Sequence, residues 1–140
     1  MRTALLTAAL LLACSSDFTV PAASRLDHAL RYTADGPSGA PALAGRLVLS
    51  FPEDTTVSGS WVISWVPGAD TTALVGPQVG SGTLVGNRLG DTLLLQLNPE
   101  NADHNVGLRA VRTPAGYRGT WEWVTFTGPR THGEFSARRE

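Results

Sequence analysis

Val106-Gly107-Leu108-Arg109-Ala110-Val111-Arg112-Thr113-Pro114-Ala115-Gly116-Tyr117-Arg118-Gly119-Thr120-Trp121-Glu122-Trp123 is the stretch that decides the fold. Before the break at Thr113–Gly116, Val106, Leu108 and Ala110 alternate with Arg109; after it, Tyr117, Trp121 and Trp123 alternate with Arg118, Thr120 and Glu122. A period of two places alternate side chains on opposite faces of a strand, and Pro and Gly mark the turn between the two halves. Setting Arg112 opposite Tyr117 brings Leu108 against Trp121 and Val106 against Trp123. A slip of one residue would set Leu108 against Glu122 and turn the apolar face outward. The stretch therefore reads as an antiparallel hairpin with one dry face.

The same period recurs on either side. Leu43, Leu47, Leu49 and Phe51 share a face opposite Arg46 and Ser50, and Trp61, Ile63 and Trp65 share one opposite Ser60 and Ser64. Leu93, Leu95 and Leu97 oppose Thr92 and Gln96, while Phe135 and Ala137 oppose Glu134, Ser136 and Arg138. Shorter runs over Asp27–Ala34, with Leu30 and Tyr32 inward, and over Gly82–Leu89, with Leu84 inward, bring the expected total to about eight strands. Turn formers separate them at Pro52–Thr56, Pro67–Asp70, Asn87–Gly90 and Asn98–Asp103. No window after Asp27 keeps apolar residues at helical spacing for three turns. Breaks this short join antiparallel neighbours, because parallel strands need a crossover of about a dozen residues.

Four triplets place a glycine two residues before a large apolar side chain: Gly59-Ser60-Trp61, Gly82-Thr83-Leu84, Gly119-Thr120-Trp121 and Gly133-Glu134-Phe135. Glycine facing inward allows a bend or a close approach, with a core filler following it. An up-and-down antiparallel meander protects its edges by closing on itself. The expected fold is thus all-β, a small meander barrel, with an open β-sandwich as the alternative. The Gly-x-Trp triplets and the length of the segment beyond residue 13 resemble the calycin barrels, the avidin-like and lipocalin-like proteins. That resemblance implies a closed small barrel, and no ligand residue is carried over from it.

The amino-terminal end has a different character. Arg2 precedes an apolar run, Ala4–Ala13, broken only by Thr7. The run is too short to cross a bilayer, which takes about 20 residues, and it fits the apolar core of a secretory signal. It ends Leu11-Leu12-Ala13-Cys14, which resembles the bacterial lipobox: an aliphatic residue three before the cysteine and a small one just before it. The resemblance implies cleavage before Cys14, acylation of Cys14 and attachment to a membrane through that lipid. Ser15 after the cysteine implies, by the same resemblance, sorting to the outer membrane. The expected organisation is a signal over residues 1–13, a lipidated tether over 14–26 and one barrel domain over 27–140.

Charge and composition narrow the function. There are 12 acidic and 11 basic residues, every basic one an arginine, for a net charge of −1. No positive excess exists to neutralise phosphates, so nucleic acid is not an expected partner. The single cysteine leaves no disulfide within the chain and no cysteine zinc site. His28, His104 and His132 have no metal-ligand spacing, the Asn98–Asp103 loop lacks the dense alternation of a calcium loop, and Gly80-Ser81-Gly82 precedes no helix that could receive a phosphate. No cofactor or metal is expected. An enzyme would need two of Glu100, Asp103, His104 and Glu122 within hydrogen-bond reach, which no motif here implies. Trp61, Trp65, Trp121 and Trp123 all fall on inward positions. They either fill the core or wall an apolar pocket open at one barrel end. The expected function is therefore a non-enzymatic envelope lipoprotein whose barrel binds a small apolar ligand or an envelope partner. The alternative is a structural or assembly lipoprotein acting through an exposed surface.

Overall fold

The computed structural model describes residues 28–140. The expected signal over 1–13, the lipidation site Cys14 and the tether over 14–26 lie outside the described residues. The strands are β1 (His28–Asp35), β2 (Pro41–Ser50), β3 (Thr56–Trp65), β4 (Gly80–Leu89), β5 (Thr92–Gln96), β6 (His104–Thr113), β7 (Gly116–Thr125) and β8 (Gly128–Arg139). Each pairs antiparallel with the next, and β8 returns to β1, closing the barrel. Closure selects the barrel over the open sandwich, since every strand has a partner on both sides over part of its length.

The deciding hairpin has the register its sequence dictates: Arg112 faces Tyr117, Leu108 faces Trp121 and Val106 faces Trp123. The period-two positions supply the core, with Leu30, Tyr32, Leu47, Leu49, Ile63 and Leu84 among its wholly buried side chains. The ladder settles the strand limits. Asn87, Arg88 and Leu89, read both as the end of the Gly82–Leu89 strand and as part of the Asn87–Gly90 break, belong to β4, because Asn87 pairs with both Thr56 and Leu94 and the ladder overrides its turn preference. The turn falls instead at Gly90, whose φ of +61° suits glycine. His132 lies inside β8, opposite Glu122. The break at Pro67–Asp70 is only the start of a longer connection, residues 66–79, that ends where β4 begins at Gly80.

The registers define two mouths. The near mouth holds His28, Phe51, the Gly90 turn, the Pro114-Ala115 turn and Glu140. Phe51 plugs it, with the Arg88 guanidinium 4.7 Å from the ring centroid and the His28 ring edge-on at 5.5 Å. The far mouth holds Asp35, residues 66–79, the 97–103 loop and the Phe126-Thr127 turn.

Candidate functional site

The structure divides the four inward tryptophans into two pairs. Trp61 and Trp121 fill the core. Trp61 lies opposite Gly82 and Trp121 opposite Gly133, and each indole occupies the space that a side chain on its glycine would need. A Cβ on Gly133 would come within 2.6 Å of Trp121 Nε1, and one on Gly82 within 3.0 Å of Trp61 Nε1. Both ring N–H groups are satisfied by backbone: Trp61 Nε1 donates to Leu97 O at 2.7 Å and Trp121 Nε1 to Asp35 O at 2.9 Å. A buried indole needs such a partner, so these two rings are committed to structure.

Trp65, the last residue of β3, and Trp123, near the end of β7, are half-buried at the far mouth. They share the wall of one cleft of about 300 Å³ with Leu74, Val75, Pro77 and His104. Residues 66–79 build its other side, and specific bonds hold them there. Gln78 is wholly buried; its Nε2 donates to Val75 O at 2.7 Å and its Oε1 accepts from the Tyr32 hydroxyl at 3.0 Å. Burial pushes the Tyr32 phenol well above its ordinary range, so it stays a neutral donor. Asn98 Nδ2 donates to Pro77 O at 3.0 Å, and the Thr131 hydroxyl donates to Leu74 O. At the start of the segment Thr72 donates its hydroxyl and its N–H to the Asp70 carboxylate, at 2.6 and 2.9 Å, holding that carboxyl below the usual range. Gly76 sits at φ +71° against the Trp123 ring, where a Cβ would lie 2.5 Å from Cγ.

The electrostatics of the cleft are aromatic and mildly polar. The Arg130 guanidinium lies 5.0 Å from the Trp123 ring centroid. Trp123 Nε1 donates to His104 Nδ1 at 3.3 Å, with the imidazole edge-on at 5.5 Å. Leu74 and Val79 stay exposed on the lips, at 52% and 41% of their surface. A cleft with indole walls, aliphatic lips and one imidazole suits a small planar apolar molecule, since buried ring faces supply area and the polar groups supply orientation. Its volume is at the lower limit of ligand sites, about 300 Å³.

No hydrogen bond or ion pair joins any two of Glu100, Asp103, His104 and Glu122 among the described residues, and none of these residues groups into a metal-holding cluster. The sequence reading missed the 71–79 wall of the cleft. Its signal was Leu74-Val75-Gly76-Pro77-Gln78-Val79, apolar residues inside a stretch otherwise punctuated like a loop. A second concavity, of about 610 Å³, lies on the outer surface across β3 to β7. Gly107 lies among its lining residues with Val85, Leu94 and Val124, and Arg109 and Glu122 also line it. Its residues are scattered over five strands and mix outward positions with the core residues Val57, Leu95 and Leu108, so no local pattern reveals them.

Comparison of the chain with protein-family models, with curated proteins and with solved structures returned no significant match.

Proposed function

We propose that the protein is a non-enzymatic, lipid-anchored envelope protein that binds a small planar apolar ligand at the far mouth of its barrel. The observation that carries this reading is the division of the tryptophans. Two are locked into the core by backbone hydrogen bonds, whereas Trp65 and Trp123 meet at an open cleft whose lips stay apolar. A core needs no exposed Leu74 and Val79 beside two part-exposed indoles, but a binding site does. The lipobox resemblance at Cys14 supports the address. The chain enters the barrel at His28, on the near mouth, so a tether would leave the cleft on the end away from its attachment.

Titration with the uncharged fluorophore N-phenyl-1-naphthylamine tests this. Saturable energy transfer from tryptophan to the probe is expected, lost in Trp65→Phe and Trp123→Phe and retained in Trp61→Phe. Absence of saturation, or equal loss in all three variants, refutes it. A second reading, action through a surface partner, is favoured by the outer groove around Gly107 and needs no cleft at all.

A further inference from the structure

The outer face of the barrel is unevenly charged. On β3, β4 and β5 the outward positions Ser58, Ser60, Val62, Thr83, Val85 and Leu94 include no charge. Next to that uncharged stretch, across the β2–β3 pairing of Arg46 with Val62, three arginines stand in one row. Arg46 of β2 is paired with Arg31 of β1, which is paired with Arg138 of β8. Neighbouring strands lie about 4.8 Å apart, so three guanidiniums crowd a span of about 10 Å. Like charges directly opposite one another destabilise a sheet. Outward charges of opposite sign meet at Arg118 and Glu134, 3.7 Å apart, but here Arg31 falls between Arg46 and Arg138.

Neutralisation within the chain is incomplete. Glu140 reaches Arg46 at 2.8 Å, while Arg31 and Arg138 have no ion pair among the described residues. Beside the row lies a polar groove of about 290 Å³ lined by Arg118 and Arg138, with the hydroxyls of Thr33 and Ser136 joined at 3.0 Å. Asp35 and Glu134 also line it, so within the groove two arginines meet two carboxylates, and the row's Arg31 and Arg138 are the cations left without an ion pair among the described residues.

We propose that the β2–β1–β8 face docks against a surface of anionic lipid headgroups. Guanidinium groups match phosphate geometry and retain their charge at any physiological pH. The row begins three residues from His28, where the rest of the chain joins the barrel, so this face is the one next to the segment that leads to Cys14. The inference rests on the envelope reading, and it would set the barrel side-on, with β4–β6 directed away from the lipid. Tethering holds the face near the membrane, and the arginines fix its orientation.

The chain from Ser15 onward keeps the whole closed barrel and has no acylation site, so it isolates the face from the anchor. Co-sedimentation with vesicles of phosphatidylglycerol and phosphatidylethanolamine is expected, with none on phosphatidylcholine vesicles, and it should weaken steeply with added salt. A basic side chain at an anionic surface is worth about fivefold in partitioning. Arg31→Gln/Arg138→Gln should therefore bind about 25-fold more weakly by the same reasoning, with an unfolding midpoint no lower than that of the parent. Arg109→Gln, on the other side of the barrel, should bind as the parent does. Equal binding to both vesicle types, an unaffected double variant, or displacement by millimolar inorganic phosphate at constant ionic strength overturns the proposal. The mass of the native amino-terminal peptide is read separately: lack of a fatty-acyl increment on Cys14 sinks the anchor reading while leaving the vesicle result to stand or fall alone.

Discussion

Replacing Gln78 by Ala should detach the 66–79 segment from the barrel mouth and destabilise the whole domain. Gln78 is wholly buried and makes two side-chain bonds, to Val75 O and from the Tyr32 hydroxyl. Each buried hydrogen bond contributes about 1 kcal/mol net, and a buried polar group left without a partner costs about 1–3 kcal/mol. The substitution strands the Tyr32 hydroxyl, which is also wholly buried, so a loss of about 2–4 kcal/mol is expected. That is a large share of a stability that is ordinarily about 5–15 kcal/mol. Tyr32→Phe alone leaves Gln78 Oε1 unpaired and should cost about 1–2 kcal/mol. In the double variant neither end of the Tyr32–Gln78 bond remains to be stranded, while the loss at Val75 O is common to both Gln78 variants, so the combined loss should fall about 1–2 kcal/mol short of the sum. Urea unfolding followed by tryptophan emission measures all four corners of the cycle, with the slope unchanged if the transition stays two-state. Strict additivity, or a Gln78→Ala loss below about 0.5 kcal/mol, would show that the mouth is not held by this bond and that the segment closes it by apolar contact alone.

Two further predictions concern the interior. Gly133→Ala should cost about 1–3 kcal/mol by overpacking and shift Trp121 emission to the red, because the new Cβ would press on both Trp121 Nε1 and Asp35 O, the two ends of one hydrogen bond; a variant with parental stability and emission contradicts the packing. Alkaline titration should find Tyr32 silent until the protein unfolds. Its phenol is raised in the folded state, so its contribution is intact below the ordinary phenol range near pH 10 and drains away above it, by about 1.4 kcal/mol per pH unit. Absorbance at 295 nm should show the Tyr32 phenolate forming only with the unfolding step, as identified by its loss in Tyr32→Phe; a Tyr32 phenolate forming while the fold persists would refute the burial argument.

The fold was legible because closure demands one dry face from every strand, and two-residue periodicity writes that face into the sequence. Leu108 opposite Trp121 could be deduced from a single hairpin, since the alternative register buries Glu122. The Gly-x-Trp triplets were legible as close approaches but not as what they are across strands. Gly82 and Gly133 matter to Trp61 and Trp121 on neighbouring strands, and that relation depends on a register no local window contains. The site was half legible. Strand parity placed Trp65 and Trp123 inward, yet it gave Trp61 and Trp121 the same status. What separates the pairs is their depth along the barrel axis and the bonds from Leu97 and Asp35, which are set by loop positions. The Phe126-Thr127 turn was invisible for a related reason: Phe126 has no turn preference and is 84% exposed, held at a hairpin tip by the pairing of Thr125 with Gly128.

An eight-stranded barrel has an interior just wide enough for side chains to fill, and the consequence here reaches the surface. Trp61 and Trp121 occupy the middle, Phe51 stops the near mouth and Gln78 reaches into the far one. On the proposed reading, binding falls to places where the core ends or the strands turn away from it. The far mouth retains two indoles that the core does not consume, and the outer face retains a row of arginines that the fold would be more stable without. Each is a departure from the pattern that makes the barrel, and the two differ in kind: the cleft answers to apolar area, the row to charge. Mutations at one should leave the other unchanged, because a filled, close-packed interior offers no second arrangement through which they could be coupled.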